Sequence, residues 1–407
     1  MKFFAQWNSR DNFAAWMAVC KIKDQKKLAR IAVEARSLEA RNAAVIKLIA
    51  AERQPLLAKI AAEDCAGRVR KSAVSKLVAE DHQPLLAELA KRDADGEVRK
   101  AAVEALVAAD HQLLLAGIAE ADADALVRAS AVGCLIAEEH QPLLAELAQS
   151  DGAVAVRVAA VKGLIAAERQ NLLSAIVKRD LDWEVRAAAL EKVDAENNQA
   201  MLAFIAKRDG CDDLRRTAIT KLIAEEHQPL LTELAKRNAP YALEALKKLS
   251  DQTLVADVAR NAESWQIRQI AITRLIAADH QTLLEEIAMK DAEADTRAEA
   301  VKALIAEDHQ PLLAAIAKKD EDYYVRMYAV EKIADKELLR QLIAHYGTGL
   351  NSKDENERYC SAELLRFLYY RYETDASISA QITAYNGTLV EGYLDKPTYR
   401  FQMPLPL

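Results

Sequence analysis

The feature that most constrains this chain is that it repeats itself. The stretch that begins at His82, HQPLLAELAKRDADGEVRKAAVEALVAAD, returns at His140 as HQPLLAELAQSDGAVAVRVAAVKGLIAAE. The arginine of the V-R-x-A-A-V segment sets the register. Arg41, Arg70, Arg99, Arg128, Arg157, Arg186 and Arg215 stand 29 residues apart, and the spacing resumes at Arg268, Arg297 and Arg326. Between the two runs lies one short unit, with Ala239 in the arginine position after only 24 residues. These are eleven clear units, flanked by weaker ones around Asn12 and Arg358. Such a chain does not close around a single centre. Each unit buries its apolar face against its neighbours, and atypical end units cover the ends of the stack.

Each unit reads as two helices. In the unit of Arg99 they are expected from about Gln83 to Lys91 and from about Gly96 to Ala108. Counted from the arginine, apolar residues recur at −1, +3, +4, +7 and +8, as in Val98, Ala102, Val103, Leu106 and Val107, which is a helical stripe. Only 11 glycines and 9 prolines occur in 407 residues, which favours helix over strand. Pro55, Pro84, Pro142, Pro229 and Pro311 share one position near the start of the first helix, where proline is tolerated. Asp95, Asp124, Asp182 and Asp322 are expected to cap the second helix.

The arginine itself falls inside the apolar stripe, where a charge needs a partner. An aspartate stands six residues before most of them. The expected structural pairs are therefore drawn from Asp64, Arg70, Asp93, Arg99, Asp122, Arg128, Asp151, Arg157, Asp180, Arg186, Asp209, Arg215, Asp291, Arg297, Asp320 and Arg326, within or between neighbouring units. The pattern D-x-x-x-x-V-R-x-A-A-V-x-x-L resembles the HEAT-repeat superfamily. The closest likeness is to the short HEAT-like repeats of the phycobilisome lyases, with some similarity to the leucine-rich-repeat variant, over roughly residues 12–345. The resemblance implies an all-α, right-handed α-solenoid of about 12–13 helix pairs whose second helices line a concave, protein-binding surface. Four segments are expected: a degenerate capping repeat at 1–36, regular repeats at 37–238, repeats after the shortened unit at 239–345, and a cap at 346–407. In that cap a helix is expected from Asp354 to Tyr372, then a β-hairpin turning at Asn386-Gly387, then an extended tail.

Chemistry-bearing patterns are sparse. The five cysteines share no repeat position and form no CxxC, which fits a reducing, cytoplasmic setting. No signal peptide, membrane span or membrane partner is expected. Six of seven histidines share one position, but Arg53, Arg169 and Asn198 occupy it elsewhere, so a polar helix start explains it better than a metal site. HExxH, GxSxG and phosphate-loop signatures are absent, so no catalytic residue, metal or cofactor is expected. A net charge of −7 argues against a dedicated nucleic-acid binder.

Two features point to a partner. The exposed side of the second helices carries a cationic strip that includes Lys162, Lys192, Lys221, Arg274, Lys302 and Lys332. Aromatic residues gather late in the chain, and Trp183, Tyr241, Trp265, Tyr323, Tyr324, Tyr328 and neighbouring Met327 are the candidate contact residues. The expectation is a monomeric, non-enzymatic scaffold for a protein partner. A nucleic-acid binder resembling HEAT-like DNA glycosylases, using the lysine strip, is the alternative. Lyase-like or chaperone-like handling of a cofactor is third.

Overall fold

The computed structural model describes residues 7–9, 11–372 and 374–385. Among these are 26 α-helices and no strand. The unit of Arg99 shows why the sequence folds this way. Its first helix, Gln83–Arg92, holds Pro84 in its first turn, where the missing N–H costs no helical bond. Asp93 ends that helix in extended backbone (φ −61°, ψ 138°). The Asp95 carboxylate accepts the Glu97 amide at 2.9 Å and starts the second helix, Gly96–Ala105. Asp182 breaks the expected capping pattern, because its carboxylate turns to Arg157 at 2.5 Å instead.

Burial follows the register. Leu57, Leu86, Leu115, Leu144 and Leu173 from the first helices meet Val69, Val98, Val127, Val156 and Val185 from the second, and all are buried. Each contributes about 1.5–3 kcal/mol. The residue at +8 leaves the expected stripe: Ile49, Val78 and Ile276 are exposed. The helix has already ended there, so 3.6-residue periodicity no longer directs the side chain inward.

The chain divides into two compact units, Met1–Met201 and Leu202–Leu407, with the division inside the helix Gln199–Arg208. In the first unit the helix Asn12–Cys20 packs on the second helix Leu38–Lys47, the place of a second helix from an incomplete repeat. Six complete pairs follow, from Gln25–Glu34 with Leu38–Lys47 to Gln170–Arg179 with Trp183–Lys192. Successive second helices pack directly on one another, while the first helices stand further apart.

Among the described residues the second unit holds six pairs, the last being Lys336–Gly349 with Glu355–Arg371, followed by the helix Ala376–Thr383. Its short repeat has a second helix of only six residues, Ala242–Lys247. There the first helices Gln228–Lys236 and Gln252–Asn261 pack directly together. The Glu263 amide donates to the Lys236 carbonyl at 2.8 Å, locking them.

The expected β-hairpin is corrected. Its first arm is the helix Ala376–Thr383, started by Asp375, whose carboxylate accepts the amides of Ser377 and Ile378. Ile378 and Ile382, four apart, are both buried, so the apparent alternation was one helical face. The Asn386-Gly387 turn, the second arm and the tail lie outside the described residues.

Candidate functional site

The arginines form a ladder between neighbouring repeats. In seven of the repeats the guanidinium makes two hydrogen bonds to the aspartate 23 residues ahead. In the first unit Arg41 reaches Asp64 at 2.7 and 3.0 Å, Arg70 reaches Asp93 at 2.8 and 2.6 Å, and Arg99 reaches Asp122 at 2.8 and 2.8 Å. Arg128 holds Asp151 at 2.9 Å twice, and Arg157 holds Asp180 at 2.9 and 3.1 Å. The second unit repeats this with Arg268–Asp291 and Arg297–Asp320, all at 2.7–2.8 Å. The aspartate six residues behind contributes its backbone carbonyl instead, as Asp64 does to Arg70 at 2.8 Å. Arg186 and Arg326 make the same backward bond, to Asp180 and Asp320. Each aspartate also accepts an amide two residues on, as Asp209 does from Cys211.

The electrostatics follow from this geometry. Burial pushes the Asp93, Asp122 and Asp151 carboxyls up, but the bonds from Arg70, Arg99 and Arg128 and from the loop amides outweigh it. All three sit below the usual carboxylate range. The same bonds raise the partner guanidinium groups. The ladder changes at Arg215, because position 238 is asparagine. Tyr241 takes over: its hydroxyl accepts from Arg215 Nη1 at 3.1 Å, and its ring lies 5.3 Å from the guanidinium carbon. Tyr241 is 2% exposed, so it is a wedge of the short repeat and offers nothing to a partner.

A second ladder went unread in the sequence. The glutamine that opens each first helix bridges the end of one second helix. Gln54 Nε2 donates to the carbonyls of Ala50 and Lys76, while its Oε1 accepts the Val78 amide at 2.7 Å. Gln25, Gln83, Gln112, Gln141, Gln170, Gln252, Gln281 and Gln310 accept the corresponding amides. The 29-residue recurrence of glutamine was the signal that could have found it.

The cationic strip splits in two. At position +6 the side chains reach back to carbonyls that end the previous second helix. Lys76 bonds Leu48, Lys192 bonds Lys162 and Leu164, Arg274 bonds Leu246 and Leu249, and Lys332 bonds Lys302 and Leu304. Lys248 of the short repeat does the same to Thr220 and Leu222. Desolvation lowers Lys192 and Lys332 from the ordinary lysine value. These cations cap helices rather than await phosphates. Lys221 is half-buried, and Lys162 and Lys302, at +5, are exposed.

The histidine position is a row of unmet polar atoms. Nε2 of His82, His111, His140, His227 and His280 is buried without a partner. The residue 24 before each is alanine: Ala58, Ala87, Ala116, Ala203 and Ala256. Where it is Glu285, His309 Nε2 lies 2.8 Å from its carboxylate, and where it is Ser174, the hydroxyl donates to Asn198 at 2.6 Å. No cluster of three or more His, Cys, Asp or Glu able to hold a metal occurs among the described residues.

The aromatic candidates are dispersed except at one place. Trp183 is exposed beside exposed Leu181, and Trp265 is half-buried. In the second unit, Tyr323 and Tyr324 meet edge to face at 5.3 Å, Tyr324 being 50% exposed. Half-buried Met327 and Tyr328 share that helix, and Lys302 Nζ sits 4.1 Å from the Tyr328 ring centre. Burial first, then Glu363 and Tyr359, pushes the Tyr323 phenol up to about 12. Tyr359, exposed and one residue past Arg358, therefore lies near Tyr323, although the sequence reading did not single it out. Arg358 makes the backward bonds of a repeat arginine, to Ser352 at 2.8 Å and Lys353 at 3.0 Å. That register puts Tyr359 in the position Met327 holds one repeat earlier.

Two equivalent hollows of about 500 and 470 Å³ lie between neighbouring first helices, against Arg157 and Arg297. Their recurrence marks them as products of stacking.

No protein-family model and no curated protein matches the sequence. Among solved structures the chain is similar to Kap121p bound to RanGTP, at 12% identity and TM-score 0.43, over 96% of this chain and 51% of that one. It is also similar to yeast importin-β, Kap95p (12% identity, TM-score 0.37, 94% and 62% covered), and to the S. pombe condensin Cnd3–Cnd2 subcomplex (14%, 0.30, 96% and 69%). The chain spans about half the length of the Kap121p chain. Likeness of this degree bears on neither activity nor partner. The helix-pair unit, its 29-residue period and the arginine–aspartate ladder between repeats make the chain an all-helical repeat stack that resembles HEAT repeats in its architecture.

Proposed function

We propose that the chain is a non-enzymatic scaffold that binds a protein partner on the second-helix surface of its second unit, centred on Tyr324 and Tyr359. The observation that carries this is the grouping of Tyr323, Tyr324, Met327 and Tyr328 on one second helix, with Tyr359 of the next repeat near Tyr323 and Tyr324, and with Tyr324 and Tyr359 about half exposed. Large amphipathic rings with few rotatable bonds are what interface centres favour. Polar groups rim the patch: Lys302 with Glu299 at 3.4 Å and Glu363 with Arg366 at 3.8 Å.

The alternative, nucleic-acid binding along the cationic strip, is weakened because the +6 cations are engaged with backbone carbonyls. Affinity capture from source-cell lysate, with and without nuclease and at two salt concentrations, separates the readings. A discrete protein retained through nuclease, and lost from Tyr324→Ala/Tyr359→Ala but not from Lys162→Ala, supports the proposal. Recovery of nucleic acid that falls steeply with salt refutes it.

A further inference from the structure

The helix Asn12–Cys20 is apolar on both sides. Ala15 and Val19 are buried, and the helix packs on Leu38–Lys47. On the other side Phe13, Trp16, Met17 and Cys20 are exposed, Phe13 by 69%. Their spacing is i, i+3, i+4, i+7, an unbroken apolar stripe about 10 Å long. The Phe13 and Trp16 rings lie 5.8 Å apart within it. No charged residue occurs in the helix, so nothing on it offsets the exposed apolar surface.

A basic cluster adjoins this stripe. Trp7, Ala18, Lys21, Ile22, Lys23, Asp24 and Lys27 line one hollow of about 360 Å³, which gathers these lysines at the C-terminal end of the same helix. Lys21, Lys23 and Lys26 are exposed, and their ammonium groups form no ion pair among the described residues. The charge is lopsided in sequence as well. Residues 1–30 hold five lysines and two arginines against two aspartates, a net +5 in a chain whose net charge is −7.

We infer that this helix and the lysines at its end form a docking surface for an anionic lipid bilayer. Phe13, Trp16 and Met17 lie at the boundary between headgroups and acyl chains, and Lys21, Lys23 and Lys26 meet lipid phosphates. No helix among the described residues is long and apolar enough to cross a membrane, so the contact is one that lies on the surface. It departs from the expectation that the chain has no membrane partner. A second copy fits the surface less well, because a two-fold contact through the stripe brings two lysine clusters together. Nucleic acid fits less well because Met17 and the apolar stripe offer nothing to a phosphate backbone, and the cations stand at one end rather than along a track.

The full-length chain is sedimented with phosphatidylcholine vesicles with and without phosphatidylglycerol, and Trp16 is read by quenching with brominated acyl chains. Binding to the phosphatidylglycerol vesicles alone is expected, weakened by salt. Lys21→Gln/Lys23→Gln/Lys26→Gln should lower partitioning on the order of a hundred-fold. Phe13→Ser/Trp16→Ser, at exposed positions, should abolish it with an unchanged melting curve. Any of four results overturns the inference: no vesicle-bound protein at low salt; binding untouched by both variants; retention of an oligonucleotide but not of vesicles; or a concentration-dependent dimer that Phe13→Ser dissolves.

Discussion

Removing Arg99 should uncouple two repeats, not merely weaken one. Its guanidinium is 14% exposed and the Asp122 carboxylate 8%, so water does little to screen the pair. Arg99→Met deletes two bonds to Asp122 at 2.8 Å and one to the Asp93 carbonyl at 2.9 Å. It leaves the Asp122 charge with the Asp124 amide as its remaining hydrogen bond. Stranding one member of a largely buried ion pair costs about 3–5 kcal/mol, and partial exposure puts this case near the lower figure, about 3 kcal/mol. Because stack stability is a sum over repeats and interfaces, a single global midpoint is a poor readout. Amide exchange is the better assay. The helices Gly96–Ala105 and Gln112–Ala121 stand on either side of the rung, and a loss of about 3 kcal/mol speeds exchange in both by about 150-fold. Adding Asp122→Leu to Arg99→Met should recover part of the loss, with a coupling of about 1–3 kcal/mol. The exposed pair Lys71–Glu97, 48% and 55% exposed, should show no measurable coupling. Faster exchange confined to Gly96–Ala105, or coupling no larger than that of the exposed pair, would refute the reasoning.

Three further outcomes follow from the same geometry. The Thr296 hydroxyl is buried without a partner at a position where other repeats hold valine, so Thr296→Val should raise stability by about 1–2 kcal/mol; a loss in urea melts would mean the hydroxyl is bonded. Asp93, Asp122 and Asp151 are held below their unfolded value of about 3.9, so their contribution is present above that pH and disappears as pH falls through the folded values. Exchange protection in the first unit should therefore fall below about pH 4, and a flat profile between neutral and strongly acid solution would contradict this. Ala116→Glu opposite His140 copies the Glu285–His309 contact and should add about 0.5–1 kcal/mol, whereas an unmoved urea midpoint would mean that Nε2 already has a partner.

The repeat was legible because one period ran through arginine, aspartate and the apolar stripe together, and the structure places the helices within a few residues of where the stripe begins and ends. What escaped was anything decided across repeats. A lysine at +6 reads as surface from its own helix, and only the neighbouring helix end, 28 residues back at Leu48 or Leu164, turns it into a cap. Tyr241 looked like an exposed aromatic in a degenerate unit. With asparagine at 238, the ring is drawn in to meet Arg215. The C-terminal misreading arose because eight residues are too few to separate a two-residue alternation from a helical face. The Asp375 cap was the signal that should have weighed more. Tyr359 was missed because its repeat had drifted, and the backward bonds of Arg358 recover its register.

The most direct test of the scaffold reading is photo-crosslinking in source cells from a benzoylphenylalanine placed at Tyr324, at Tyr359, or at Lys59 on a first helix of the first unit. The account predicts one discrete protein adduct at the first two positions and none at the third. Equal adducts at all three, or adducts only to nucleic acid, would contradict it.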